Sequence, residues 1–168
     1  MAGLVSNLID VLKGQVDLYN QIAALSAQKK DFIIKNDIEN LRTVVSEENA
    51  LIPKALRGDK DREKIMKDIC TVLNKKEEEM SLGYLVVLME NQPEHDELAN
   101  TVDSLKAAAE ETRVLNETNK VLVQHALEFI DYNINVIHSS FSDTSGPVGY
   151  NDALEDAGGQ TSFLDING

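Results

Sequence analysis

The sequence predicts an all-α fold, an elongated antiparallel helical bundle or coiled coil with one very long C-terminal helix and a flexible C-terminal tail. From Glu94 to Phe141 the chain has neither Pro nor Gly, and apolar or small residues recur at alternating spacings of three and four. That spacing is typical of a helix with one wide buried face. Aromatic residues make up only 5% of the chain, and the dominance of Leu, Val, Ile, Ala, Glu, Asn and Lys favours helices over strands.

The first helix is predicted over about residues 4–34, because its apolar residues form two adjacent rows at helical spacing. The rows consist of Leu4, Leu8, Val11, Leu18, Ile22, Leu25 and Phe32, with Val5, Leu12, Tyr19 and Ile33 beside them. Gly14 lies inside this helix, where it costs about 1 kcal/mol relative to Ala. It therefore weakens the helix without ending it.

A second helix is predicted over about residues 37–57, where Asp37 offers an N-cap before a new apolar period. The sequence leaves open whether this helix is separate from the first or joined to it through a kink. Pro53 is expected to bend it or end it early. Gly58-Asp59 indicates a stop followed by a new cap, so a short third helix is predicted around residues 65–73.

Two short segments lead into the long helix. Lys75 to Ser81 is a charged connector, and Leu82 to Met89 is a compact apolar segment predicted to form one or two helical turns. Asn91-Gln92-Pro93 then breaks the chain, with Pro93 expected at the first turn of the long helix.

The chain changes character after the long helix, which predicts two regions. Residues 1–141 form the helical bundle domain, and residues 142–168 form a flexible tail that holds five of the nine Gly and shows no apolar period. Two small apolar groups lie in this tail, around Val148-Gly149-Tyr150 and Phe163-Leu164-Asp165-Ile166. Such side chains in a mobile segment either have no binding role or bind a partner.

Charge and cysteine content limit the class of protein. The net charge of −13 argues against nucleic-acid binding, because phosphates would be repelled, and it suits a partner that is basic or hydrophobic. A single cysteine cannot form an internal disulfide, which favours a reducing, cytoplasmic location. We expect no signal peptide and no membrane insertion, since the longest apolar run, Tyr84 to Met89, is too short to cross a bilayer.

The sequence shows no arrangement that indicates an enzyme, a metal site or a bound cofactor. His125 and His138 lie off the apolar face of the long helix, His95 lies near its start, and all three are interpreted as surface residues. Glu94-His95-Asp96-Glu97 contains metal-ligating residue types, but immediate neighbours on a helix do not face one another. A helix N-terminus with acidic residues accounts for that segment better. An enzymatic or metal-binding four-helix bundle would need inward carboxylate and His pairs three residues apart, and no such set is present.

Polar residues interrupt the apolar face of the long helix. Thr112, Asn116 and Asn119 fall where apolar residues are expected, with Leu115 and Leu122 beside them. Two interpretations are open. The polar residues can fix the register of the bundle, as a buried Asn does in a coiled coil, or they can mark a place where a partner helix completes an open bundle.

The segment Leu115-Asn116-Glu117-Thr118-Asn119-Lys120-Val121-Leu122-Val123 resembles the LNxxN-x-x-L-L segment of the FlgN-like flagellar type III export chaperones. Further similarities follow the same order along the chain. Lys35-Asn36-Asp37-Ile38-Glu39-Asn40-Leu41 resembles the start of that family's second helix. Tyr150 followed by Gly159-Gln160-Thr161-Ser162 resembles its tail, and Phe163-Leu164-Asp165 is similar to a terminal element of some members. The segment between Tyr150 and Gly159 departs from the pattern.

The resemblance implies a cytoplasmic chaperone that binds the C-terminal helical segments of the hook–filament junction (hook-associated) proteins, prevents their premature assembly and delivers them to the type III export gate. It also implies that Tyr150 docks on the cytoplasmic domain of the export-gate membrane protein. The client helix is expected to bind the wide apolar face of the long helix. The client-binding residues on that face are Leu115, Asn116, Asn119, Leu122, Val123, Ala126, Phe129, Ile130, Asn133, Val136 and Ile137.

The alternative function is a structural coiled-coil scaffold or adaptor whose apolar face only builds a homo-oligomer. A homo-oligomer is also possible for the chaperone, because an apolar face of this length promotes aggregation when it is left uncovered. In the free chaperone we therefore expect that face to be hidden in part, by self-association or by movable N-terminal helices.

Overall fold

The computed structural model describes residues 2–143, with side chains placed for residues 3–140. Its elements are α1 (Ala2–Lys35), α2 (Ile38–Leu73), a short 3-10 helix (Glu77–Glu79), α3 (Leu82–Leu88) and α4 (His95–Asp143). The described residues contain no strand, so the predicted all-α class with one very long C-terminal helix is confirmed. The prediction of a flexible tail, including the role of Tyr150, falls on residues 144–168 and lies outside the described residues.

The chain divides into two compact units between Phe129 and Ile130. The first unit contains α1, α2, α3 and α4 up to Phe129. Of the second unit, the described residues are 130–143, which form the end of α4. No helix within the described residues combines the length and the apolar character needed to span a membrane.

A tight turn separates α1 from α2, which answers the question that the sequence left open. Asn36 adopts a left-handed conformation with φ of 55°, a conformation that Asn tolerates better than most residues. The amide of Asp37 donates to the carbonyl of Phe32 at 2.9 Å. The Asp37 carboxylate then caps α2 by accepting from the amide of Asn40 at 3.2 Å. The two helices are therefore distinct and antiparallel.

α2 is a single helix of 36 residues, so the predicted end near residue 57 and the separate third helix are wrong. Pro53 lies inside the helix and is exposed, so the carbonyl that would have bonded to its missing N–H, that of Asn49, can be hydrated instead. Gly58 also continues the helix. A Cβ at Gly58 would lie 3.3 Å from Cγ of Gln15, so this glycine permits a close approach of α1 and α2 rather than a stop.

The connection from α2 to α4 has the predicted charged segment and short apolar helix, but the predicted place of Pro93 is wrong. α2 ends at Asn74, a left-handed C-cap with φ of 52°. The hydroxyl of Ser81 accepts from the amide of Tyr84 at 3.1 Å and caps α3. The chain then turns through residues 89–94 and α4 begins at His95. Pro93 therefore lies in the preceding turn and not in the first turn of α4 as predicted, because the amide of Leu98 makes the first helical bond to the carbonyl of Glu94 at 2.9 Å.

The main hydrophobic core lies where the start of α1, the end of α2, α3 and the start of α4 meet. Its members are all buried aliphatic or sulfur-containing residues. They are Val5, Leu8, Ile9, Leu12, Ile69, Cys70, Met80, Leu85, Met89, Leu98, Val102 and Leu105. Burying an aliphatic side chain of this kind contributes roughly 1.5–3 kcal/mol, so this end of the first unit holds most of its apolar stabilisation.

Polar contacts fix the direction of the three long helices. Gln15 Nε2 of α1 donates to Asp59 Oδ1 of α2 at 2.8 Å, and Ser26 Oγ donates to Glu48 Oε1 at 2.7 Å, so position rises on α1 as it falls on α2. Lys13 of α1 pairs with Glu97 of α4 at 2.6 Å. Contacts further along α1 involve residues further along α4, so α4 runs parallel to α1 and antiparallel to α2.

Candidate functional site

The polar residues of α4 lie against α1. Thr112 Oγ1 donates to the carbonyl oxygen of Ala108 at 2.9 Å and lies 3.2 Å from that of Tyr19. Asn119 Nδ2 donates to the carbonyl oxygen of Ser26 at 2.8 Å. Both interhelical contacts join residues that are 93 positions apart, so they repeat one heptad apart. Over this stretch the polar residues therefore set the register of α4 on α1, as the first interpretation proposed.

A buried serine joins all three long helices at this layer. Ser26 is fully buried, and its hydroxyl lies 2.7 Å from Glu48 Oε1 on α2 and 3.3 Å from Asn116 Oδ1 on α4. Lys29 pairs with the other carboxylate oxygen of Glu48. Because a hydroxyl has one hydrogen to donate, the shorter contact to Glu48 is the stronger. Polar contacts thus join the three helices here, next to the buried apolar residues Ile22, Ala23 and Val44, which lie outside the main hydrophobic core.

The face of α4 that packs on the bundle loses its cover after this layer. Its buried residues are Leu98, Thr101, Val102, Leu105, Ala108, Thr112 and Asn119. The next residues on the same side of the helix are Val123, Ala126 and Leu127, and all three are exposed. Val123 is 43% exposed and Leu127 is 57% exposed. Apolar side chains in the pattern of a buried face are therefore open to solvent.

The end of α1 explains part of this loss of cover. At the 93-residue offset of the two interhelical hydrogen bonds, the last residue of α1, Lys35, lies level with Glu128. The bundle-facing residues near the end of α1 are already only partly covered, since Phe32 and Ile33 are half-buried. We call the exposed stretch of α4 formed by residues 121–129 the open seam. Its exposed large apolar residues are Val121, Val123, Leu127 and Phe129, and Leu122 is half-buried.

The end of α4 in the second unit is also rich in exposed apolar residues. Ile130, Ile134 and Ile137 recur at helical spacing and are 50%, 47% and 54% exposed. Tyr132 and Val136 are exposed as well. Asn133 is half-buried.

The structure separates the predicted client-binding residues into groups of different burial. Leu115 is half-buried, Asn116 is exposed beside Ser26, and Asn119 is buried. Asn119 could touch a foreign helix only if α1 moved away. The predicted residues of the first unit that lie in the open seam are Leu122, Val123, Ala126 and Phe129. Those of the second unit are Ile130, Asn133, Val136 and Ile137. Their assignment to client binding stays a prediction.

The sequence interpretation missed exposed apolar residues that accompany the predicted ones. Leu127 lies beside Ala126 in the open seam, and Ile134 lies beside Asn133 in the second unit. A strict heptad assigns one position in each pair to the apolar row, but an unsupercoiled helix drifts about 20° per heptad from that repeat. Counting with a period of 3.6 would have included both residues.

The surface charge near this region is arranged in local pairs. The guanidinium of Arg113 donates to both carboxylate oxygens of Glu110, at 2.7 and 2.9 Å. This pairing lowers the pKa of the Glu110 carboxyl and raises the pKa of Arg113, in each case chiefly through the hydrogen bonds. Along the open seam, Gln124 Nε2 donates to Glu128 Oε1 at 3.2 Å. The open seam is thus an apolar strip with a polar border, an arrangement that suits helix binding.

Comparison with known proteins gives one family. The family model described as FlgN protein matches residues 1–154. No curated protein and no solved structure shows a significant match to the chain. The matched range includes every described residue, among them the polar layer and the open seam.

Proposed function

Since the chain belongs to the FlgN family of flagellar export chaperones, we propose that it binds the C-terminal helical segments of hook–filament junction proteins. In this proposal the chaperone prevents their premature assembly in the cytoplasm and delivers them to the type III export gate. Family membership also supports a protein without enzymatic activity. The client helix lies along the open seam of the first unit, and Ile130, Asn133, Val136 and Ile137 of the second unit remain predicted client contacts in their own right.

The observation that carries this proposal is the change in exposure along one face of α4. The face is buried from Leu98 to Thr112 and exposed at Val123, Ala126 and Leu127. A helix face with a continuous apolar period gains most of its stability when another apolar surface packs against it. An amphipathic client helix supplies that surface, because apolar residues at helical spacing fit into a complementary groove.

The clients' own chemistry fits this mode of binding. Helices that pack together in an assembled structure are amphipathic, so their apolar faces are exposed before assembly and promote aggregation. When the client's apolar face is bound to the chaperone, other subunits cannot pack against it. No covalent step or nucleotide is involved, and release requires only that the client's apolar face finds a more favourable partner.

The tail completes the proposal. In the FlgN-like resemblance a tail tyrosine docks the chaperone on the cytoplasmic domain of the export-gate membrane protein, and Tyr150 is the residue proposed here. Deleting residues 145–168 is expected to leave client binding intact and to lower secretion of the client. Unchanged secretion after this deletion would remove the docking role of Tyr150.

Binding measurements on variants of the open seam test the client site. Leu122→Asp and Phe129→Asp place a carboxylate in a contact that becomes desolvated, so each should weaken binding of a junction-protein C-terminal peptide by about tenfold or more. Val114→Asp is the matched control, because Val114 is a 48% exposed aliphatic residue of α4 outside this face. Circular dichroism should show all three variants folded. Normal binding by both seam variants would contradict the assignment, and loss of binding in the control would show that the effect is not local.

A further inference from the structure

A groove between α1 and α4 begins next to the hydrophobic core. A cleft of about 620 Å³ opens there, and its lining includes Lys13 and Val16 of α1 together with Glu97, Thr101 and Ser104 of α4. The ammonium of Lys13 pairs with Glu97 across this cleft at 2.6 Å. Because α1 and α4 run parallel, residues that follow these at heptad spacing continue the same groove towards the open seam. We call it the α1–α4 groove.

The α4 wall of this groove loses its cover towards the open seam. The wall is the heptad row that starts at Thr101, and its members are Thr101, Ala108, Leu115, Leu122 and Phe129. Thr101 and Ala108 are buried, Leu115 and Leu122 are half-buried, and Phe129 is 65% exposed. Leu122 and Phe129 of the open seam are therefore on the side of α4 that faces the α1–α4 groove.

The α1 wall of the groove ends in an exposed isoleucine. Ile34 lies three heptads after Lys13, in a row whose intervening members, Asn20 and Ala27, are polar or small. Ile34 is large, apolar and 61% exposed. Contacts between α1 and α4 join positions that are 84 or 93 apart, so Ile34 is level with residues 118–127 of α4. A single exposed isoleucine is ordinary on a protein surface, but this one lies across a groove from Leu122 of the open seam.

A lysine without an ion-pair partner lies one turn before Ile34. Lys30 follows Val16 by two heptads and is half-buried, so the α1–α4 groove passes beside its alkyl chain. The neighbouring Lys29 pairs with Glu48 of α2, whereas Lys30 forms no ion pair among the residues that the structure describes. An unpaired ammonium beside an apolar groove favours a partner that brings a carboxylate there.

We propose that the end of α1 forms the second wall of the client site. Ile34 packs on the apolar stripe of the client helix, and Lys30 pairs with a carboxylate beside that stripe. The client segment is thus an amphipathic helix with an acidic residue on one flank. A helix that lies in a groove between two others contacts both of them and buries more apolar surface than it would on α4 alone. This inference rests on the proposed function and adds to it two residues of α1 that the sequence interpretation did not assign to the client.

Ile34→Gln tests the apolar contact. Glutamine is neutral and favours helix, so the variant removes apolar burial without changing the charge. Binding of a junction-protein C-terminal peptide should weaken about tenfold, while thermal unfolding should change little because Ile34 is exposed. Ile38→Gln is the matched control, since Ile38 is a 51% exposed isoleucine on α2 and not on a wall of the groove. Normal binding by Ile34→Gln would remove α1 from the client site.

Two substitutions of Lys30 test the ion pair. Lys30→Met keeps an unbranched side chain and removes the charge, so the peptide Kd should rise about fivefold at low salt. Added salt should then weaken binding less than in the unaltered chain, because one screened interaction is missing. Lys30→Glu should weaken binding more than Lys30→Met does. Lys35→Glu is the matched control, since Lys35 is an exposed lysine on another side of α1. An equal loss in Lys35→Glu would show that the effect is one of net charge and would overturn the pairing.

Charge reversal in both partners tests the pair most directly. Each Asp or Glu of the peptide is replaced by Lys in turn, and one of these peptides should bind Lys30→Glu more tightly than the unaltered peptide does. If no such peptide exists, the ion pair is overturned. If Leu122→Asp abolishes binding of the unaltered peptide while Ile34→Gln and Lys30→Glu bind it normally, the client contacts α4 alone and only this inference fails. If the peptide does not bind the unaltered chain, the proposed function fails and this inference fails with it.

Discussion

Asn119 is a buried amide that is only half satisfied. Its nitrogen donates to the carbonyl of Ser26 at 2.8 Å, whereas its Oδ1 is buried without a hydrogen-bond partner in the described part of the chain. A buried acceptor without a donor costs roughly 1–3 kcal/mol. The chain therefore accepts a local loss of stability at the point where the cover of α4 ends. In return, Asn119 fixes the register of α4 on α1, because a single buried Asn disfavours sliding of one helix past another.

Replacing Asn119 with Leu should stabilise the protein. The variant removes the unsatisfied oxygen and adds apolar contact, and the Ser26 carbonyl keeps its bond within α1. We expect the free energy of unfolding to rise by about 1–2 kcal/mol in urea titrations. Asn116→Leu is the matched control, since Asn116 is exposed and should gain little. Destabilisation by Asn119→Leu would show that its single hydrogen bond contributes more than the buried oxygen costs.

Asp37 links the α1–α2 turn to pH. Its carboxylate accepts from the side chain of Asn40 at 2.7 Å and from its amide at 3.2 Å, and these bonds lower the pKa of Asp37 below its usual value of 3.8. A carboxyl with a lowered folded pKa stabilises the fold above its unfolded pKa. That stabilisation is lost as the pH falls through the folded pKa.

Asp37→Ala should therefore lower the midpoint of thermal unfolding at neutral pH. The difference from the unaltered chain should begin to shrink as the pH falls below about 4, where the unfolded carboxyl takes up its proton, and should vanish once the pH has passed the lowered folded pKa. Asp17→Ala is a suitable control because Asp17 is exposed and has no hydrogen bond or ion pair among the described residues. A difference that stays constant down to low pH would show that the cap does not act through its charge.

α2 shows how tertiary packing overrides local signals. Pro53 and Gly58 predict a helix end, yet the helix runs through both to Leu73. Pro disfavours a helix interior through one lost hydrogen bond and a clash. Against this, apolar residues on both sides of Pro53 must reach the same bundle, from Val44 near one end to Ile69 near the other. A continuous helix satisfies both contacts.

The two glycines of the α1–α2 pair should respond differently to Ala. A Cβ at Gly14 would have no atom within 4 Å, whereas one at Gly58 would lie 3.3 Å from Gln15 Cγ. Gly14→Ala should raise the free energy of unfolding by about 0.5–1 kcal/mol through helix propensity. Gly58→Ala should gain less, because buried Gln15 must shift. An equal or larger gain at Gly58 in the same urea titrations would show that the helices have room there.

The sequence was sufficient for most elements and for part of the site. Apolar periodicity predicts α1, α3 and α4, because each buries a regular face and has a capping residue or a break at an end. The break inside α2 was predicted wrongly, because Pro53 and Gly58 are local signals, whereas packing against residues distant in sequence keeps the helix continuous. The apolar face of α4 was also visible in the sequence. The sequence did not show which residues of that face are buried and which are exposed, because the positions of α1 and α2 decide that Asn119 is buried and Val123 is exposed.

The first unit as a whole distributes its stability unevenly. Twelve buried residues form the hydrophobic core where α1 and α4 begin. Near the α1–α2 turn the contacts are largely polar, through Ser26, Lys29 and Glu48. Regions with few buried apolar contacts open more easily than dense cores. The end that borders the open seam is therefore the one best suited to adapt to a client helix.

Amide hydrogen exchange with and without a junction-protein C-terminal peptide tests the client site most directly. If the client binds along the open seam, the exchange rates of the amides of residues 121–129 should fall by about tenfold or more in the complex, because local opening of that part of α4 is suppressed. Amides of residues 98–105, already in the core, should change little. Binding of the peptide with no added protection in residues 121–129 would contradict the account.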